Sequence, residues 1–123
     1  MPVSLNTTLR NARSSAIVTE AGAGAKLTVY TSGYASVLYT STCAATLGTV
    51  SGGVLTFNAV GAATATGAGT AAIARLFKTD GTTMVIEGLT VGTSGTNIVI
   101  TNAVIAVSDS ITTSGATITE GNA

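Results

Sequence analysis

The sequence contains no histidine and no tryptophan, and only one cysteine (Cys43) and one proline (Pro2). Without histidine there is no Ser-His-Asp or Cys-His catalysis, and the commonest zinc ligand is missing. A single cysteine rules out a disulfide within the chain, so no disulfide framework holds the fold. Cys43 is expected to be a small, buried apolar residue. Charge is also scarce. Only 8% of the 123 residues are charged, against about 25% in a typical soluble domain. The five cations (Arg10, Arg13, Lys26, Arg75, Lys78) balance the five anions (Glu20, Asp80, Glu87, Asp109, Glu120) to zero. Such a chain has no basic footprint for nucleic acid, and zero net charge favours association. Its surface must consist largely of Thr, Ser, Asn and Gly.

Acids do not cluster either. No short segment supplies two acids for a calcium site, and a carboxylate pair for glycoside cleavage would have to be assembled from distant positions. Asp80 is best explained by a turn, and Glu87 and Asp109 as exposed charges at strand ends. Gly22-Ala23-Gly24 and Gly67-Ala68-Gly69 look like fragments of phosphate loops. Neither precedes a Lys-Ser/Thr pair or opens an apolar-striped helix after a strand. No catalytic, cofactor or metal residue is therefore assigned, and the chain is expected not to be an enzyme. No run approaches the roughly 18–20 apolar residues that span a bilayer as a helix, and no basic-then-apolar leader opens the chain. A soluble protein made without an export signal is expected.

The apolar content is 46%, with only Phe57, Phe77, Tyr30, Tyr34 and Tyr39 as aromatics. The core must rest on Val, Ile, Leu and Ala. Such a thin core suggests a fold that leans on partners.

Periodicity divides the chain in two. Residues 4–21 carry an apolar stripe of Leu5, Leu9, Ala12 and Ala16, joined by Ile17, at helical spacing. Ser4 or Asn6 would cap the helix, and Gly22 and Gly24 would end it. Residues 1–24 thus form a helical segment, either packed on its own domain or laid as an arm on a neighbouring subunit. Residues 25–123 form a mainly-β body of sandwich or jelly-roll type, in one domain.

Within this body, residues 27–31 alternate as a half-buried strand. Further strands are expected over 36–40, within 42–50 around Ala45-Thr46-Leu47, and over 54–58. Ser51-Gly52-Gly53 marks a turn. Residues 61–70 are all Gly, Ala and Thr, too little bulk to pack, and read as a loop whose tip could meet a partner. Asp80-Gly81 between residues 71–79 and 82–87 signals a type I′ hairpin, with Ala72, Ala74 and Leu76 inward and Arg75 outward. Alternation then puts Phe77 on the outer face, which conflicts with its apolar ring. Gly92-Thr93-Ser94-Gly95 is a turn. Strands follow at Ile98 and Ile100, over 104–107, and over 110–120 around Ser114-Gly115. Tyr30, Tyr34 and Tyr39 are either a small surface patch of the kind a glycan-binding module uses, or simple strand packing.

Several motifs recur in a familiar order. Leu5-Asn6-Thr7-Thr8-Leu9-Arg10-Asn11 comes first, then a Gly/Ala break and Lys26-Leu27-Thr28-Val29-Tyr30. Later come Gly52-Gly53-Val54-Leu55-Thr56, the Gly/Ala/Thr stretch, and Ala74-Arg75-Leu76-Phe77-Lys78-Thr79-Asp80-Gly81-Thr82-Thr83. Ala116-Thr117-Ile118-Thr119-Glu120-Gly121-Asn122 closes the series. This order resembles the small β-rich virion proteins of tailed bacteriophages. The chain departs from that pattern at residues 34–39, where relatives tend to carry a proline-containing turn. The resemblance implies a non-enzymatic particle component assembled in the bacterial cytoplasm. Its first implied role is a capsid cement or decoration protein; the alternative is a neck, collar or tail-appendage protein. The implied partners are copies of itself, as dimer or trimer, and the major capsid protein, with no cofactor, nucleic acid or membrane.

Overall fold

The computed structural model describes residues 6–119. Among the described residues the fold is mainly β, with one α-helix, α1 (Thr7–Ala21), ahead of the strands. Twelve strands follow: β1 (Lys26–Tyr30), β2 (Val37–Thr42), β3 (Gly48–Ser51), β4 (Val54–Phe57), β5 (Ala63–Thr64), β6 (Gly69–Thr70), β7 (Ile73–Phe77), β8 (Met84–Gly92), β9 (Ile98–Ile100), β10 (Val104–Ile105), β11 (Ser110–Ile111) and β12 (Thr113–Thr119). Eight of them form one curled sheet in the order β2-β1-β7-β8-β9-β12-β4-β3, and β10-β6 and β11-β5 make two short ribbons. Every pairing is antiparallel except β8 with β9. Parallel neighbours normally need a long crossover. Here residues 93–97 suffice, because Asn97 clamps the return: its Oδ1 accepts from the Thr90 N–H and hydroxyl at 3.1 Å each.

The sheet curls around a core of small and medium side chains. Leu27 and Val29 of β1 face Leu76 and Ala74 of β7 across the ladder, and all four are fully buried. Leu55, Leu89, Ile98, Ile100 and Ile118 extend the same cluster. Each fully buried side chain of this size contributes about 1.5–3 kcal/mol. Residues 27–30, expected half-buried, are all buried; on the outer face the Tyr30 ring is covered by Arg75 and edged by Tyr34. Ala74 and Leu76 point inward as expected, while Ala72 is only half-buried. Phe77 does lie on the outer face, half-buried between its cross-strand neighbours Lys26 and Met84. Both are long chains able to lie along a ring, which removes the conflict.

The helix is capped by Asn6, whose side chain accepts from the Leu9 N–H at 2.8 Å; Ser4 lies outside the described residues. It ends at Gly22, whose N–H reaches the Val18 carbonyl at 3.2 Å with φ +71°. It packs on β3, β4 and β8 of its own sheet. The face that packs is not the stripe read from the sequence. Ser14 and Ala21 are buried and Ile17 and Val18 half-buried, while Leu9, Ala12 and Ala16 are exposed. Sheet contact thus rotated the helix by about half a turn from the expected orientation. Three contacts hold it there. The Gly53 N–H donates to Asn11 Oδ1 at 2.7 Å, the Arg10 guanidinium covers Gly53, and Glu20 pairs with Lys78 at 2.9 Å.

Four further expectations are corrected. The strand centred on Ala45-Thr46-Leu47 begins instead at Gly48, after a bend in which Leu47 alone is driven into the core. Gly52 and Gly53, both at positive φ, then turn β3 into β4. The Asp80-Gly81 hairpin exists, but it is not type I′, since only Gly81 has positive φ. The Gly81 N–H bonds the Lys78 carbonyl and the Lys78 N–H bonds the Thr83 carbonyl, both at 2.9 Å, which makes a four-residue loop. The strand expected over 104–107 stops at Ile105, where a turn with Ser108 at φ +76° intervenes. Ser114-Gly115 lies inside β12, at a register shift against β9; Glu120 is outside the described residues.

The largest correction concerns residues 61–70, expected as a loop too small to pack. They carry β5 and β6, and Ala63 and Ala65 are buried. The stretch runs along the outer edge of β2. The Thr66 and Gly67 N–H groups both donate to the Leu38 carbonyl, at 2.8 and 3.2 Å, and the Gly61 N–H donates to Thr42 at 2.9 Å. Its lack of bulk is what lets the backbone approach so closely: a methyl group on Gly67 would run into the Val37 carbonyl oxygen.

Candidate interaction surfaces

The groups able to do chemistry are dispersed and already engaged. Cys43 is buried, and burial pushes its thiol up to about 11, with the charge of Lys26 partly opposing. Such a thiol is a poor nucleophile at neutral pH. The Asp80 carboxylate accepts from the Thr83 hydroxyl at 2.6 Å and from the Thr82 and Thr83 N–H groups at 2.8 Å each. The Thr83 hydroxyl, then these backbone donors, hold its carboxyl down at about 2. Asp109 accepts from the Ala106 N–H at 2.9 Å and closes the turn before β11. Among the described residues, no three His, Cys, Asp or Glu side chains lie close enough to hold a metal ion. Among the described residues, no cavity opens and no helix is long and apolar enough to cross a membrane. Gly22-Ala23-Gly24 follows the C-terminal end of α1, where the helix dipole repels a phosphate, and Gly67-Ala68-Gly69 lies against β2.

One polar constellation stands on the outer face of the sheet. The register between β7 and β8 slips between Ala74 and Leu76, so Glu87 and Gly88 together face Arg75. This bulge brings the Glu87 carboxylate within 3.3 Å of Arg75 Nε, so Glu87 lies in mid-strand rather than at the strand end expected for it. The guanidinium carbon sits 3.8 Å from the ring centre of Tyr34 and 5.3 Å from that of Tyr30, a cation–π seat. The two rings meet edge to face at 5.2 Å. Tyr34 is held at φ +59°, uncommon for a bulky side chain, and its hydroxyl accepts from the bulge N–H of Gly88 at 2.8 Å. Tyr39, grouped with them in the sequence reading, points to the opposite face and is fully buried. Burial raises its hydroxyl to about 12; the Thr113 hydroxyl beside it partly offsets this without reaching hydrogen-bonding geometry. Alternation along β1 and β7 already places Tyr30 and Arg75 on one face. The bulge that adds Glu87 and the left-handed turn that adds Tyr34 leave no such trace.

The remaining surface features are apolar. Val37, Val104 and Val107 are 46%, 66% and 59% exposed. Val37 adjoins Gly67, where residues 61–70 cross β2, and Val104 pairs with Thr70 of β6. Leu9, 46% exposed, leads the outward stripe of α1.

Comparison with known proteins finds no matching family description, no similar curated protein and no similar solved structure.

Proposed function

We propose that this chain is a non-enzymatic structural protein of a tailed-phage particle, acting as a cement or decoration protein on the head. The observation that carries the reading is a sparsely charged chain, 8% charged residues with zero net charge, whose surface still presents large apolar side chains. Such a surface suits permanent contact with neighbours rather than free diffusion. The resemblance of its motif order to small β-rich virion proteins is the second support. The mechanism is passive: the exposed valines and the outward helix face lie across joints between subunits, and many small burials add up over a lattice. The Tyr30-Tyr34-Arg75-Glu87 cluster argues against a sugar-stacking platform, because the Tyr34 ring is already covered by Arg75 and edged by Tyr30. Quantitative mass spectrometry of purified particles tests the proposal. Hundreds of copies per particle support a cement protein. A few copies move the chain to the neck or tail, and its absence from particles overturns the reading.

A further inference from the structure

Very little apolar burial seats α1 on the sheet. Among its described side chains only Ser14 and Ala21 are buried, and Ile17 and Val18 are half-buried. On β1 and β7, by contrast, Leu27, Val29 and Leu76 are fully buried. The Ser14 hydroxyl lies within the seat, fully buried and without a hydrogen-bond partner. That costs free energy only while the helix is docked, because a released Ser14 is solvated. The helix is also weak in itself. Thr, Asn, Ser, Ile and Val fill eight of its 15 positions, and all are indifferent helix formers. Its first turn has no acid and its last turn no base; Arg10 and Glu20 stand instead at the ends where the dipole disfavours them. A helix of this length without a partner is marginal even in a good sequence.

Polar ties to two hairpin turns hold α1 instead. The Gly53 N–H donates to Asn11 and so joins the helix to the β3–β4 turn. At the other end Glu20 pairs with Lys78, and the Thr79 hydroxyl donates to the Ala23 carbonyl, both at the β7–β8 turn. The Glu20–Lys78 pair is open to water, with side chains 62% and 39% exposed. Just beyond the helix, Gly22 and Ala23 are exposed, and Gly22 and Gly24 both have positive φ. No strand pairing runs through α1.

We propose that α1 is a strap, which leaves the sheet as a unit and melts as it goes, turning on Gly22–Gly24 while the strand pairings stay intact. Its release uncovers the strip of β3, β4 and β8 on which it packs. The proposal is independent of the virion reading, since it concerns the purified chain in solution.

Hydrogen exchange of the full chain, read residue by residue, tests it. The amides of residues 11–21 should exchange at least about a hundredfold faster than those of β1 and β7, as a local opening requires. Ser14→Ala removes the orphaned hydroxyl and should slow exchange in α1 about tenfold. Lys78→Gln cuts one tie without altering the helix sequence and should quicken it about two- to fivefold. Both variants should leave β1 and β7 unchanged. Equal exchange in α1, β1 and β7 would mean that the helix opens only with the whole fold, and overturns the proposal. So does a Ser14→Ala chain in which α1 is unaffected, or in which all three elements slow by one factor. Exchange in α1 as fast as in an unfolded peptide, in the parent and both variants, would show that there is no docked strap.

Discussion

The β7–β8 hairpin and the segment 61–70 lie on either side of Ala71, and they are held by opposite means. The hairpin relies on bulk and on its own bonds: Leu76 fills the core, and the Asp80 carboxylate gathers three donors across the turn. The segment has no side chain larger than threonine, and it is held because its backbone can press against β2. One region is therefore vulnerable to removing atoms and the other to adding them. Low bulk does not mean low order. It means that order comes from close backbone approach, and that the tolerance for substitution changes sign.

Leu76→Ala should show the largest effect, a loss of about 2–5 kcal/mol in denaturant unfolding, because a fully buried side chain leaves a cavity. Gly67→Ala comes next. The added methyl meets backbone rather than a flexible side chain, and about 1–3 kcal/mol of overpacking is expected. An unchanged unfolding midpoint would mean that residues 61–70 do not press on β2. Asp80→Ala should lower the melting temperature by a few degrees. Its carboxyl titrates near 2 in the folded chain, below its ordinary 3.8. Its contribution is therefore full above about pH 4 and disappears as pH falls through 2. The variant and the parent should converge in melting temperature toward pH 2, and a gap that stays constant would show that the turn does not depend on the charge. The smallest effect is expected at Tyr39→Phe. The hydroxyl is buried without a hydrogen-bond partner, so removing it should change stability by less than about 1 kcal/mol, in the stabilising direction. A clear loss would show that the hydroxyl is satisfied in solution.

The same contrast marks what could be read from the sequence. The mainly-β class, the helix with its Asn6 cap and Gly22 stop, and the position of the Asp80 hairpin all follow from local rules of propensity, capping and alternation. What was not legible depended on tertiary contact. The rotation of α1 was decided by the sheet beneath it, since both of its faces carry apolar residues. Burial of residues 61–70 depended on a neighbouring strand that no periodicity announces. The Arg75 seat needed a bulge at Gly88 and a left-handed Tyr34, and each of these involves a strained or slipped residue rather than a repeating pattern.

The place of β12 also constrains how the fold comes into being. It is the last described strand in chain order, yet it lies between β9 and β4. While the chain is being synthesised, two pieces wait for it. The β3–β4 hairpin has only its own pairing and α1 to hold it, and β9 has one side open. Neither edge is closed until residues 113–119 leave the ribosome. Completion of the sheet is thus a late, long-range event, of the kind that exposes a nascent chain to wrong partners. Because the waiting edges are short and lie next to threonine and glycine, a copy emerging alongside offers them a plausible but incorrect strand. Dilution of neighbouring copies should therefore raise the yield of correctly closed sheets, and slow synthesis of the last third of the chain should lower it.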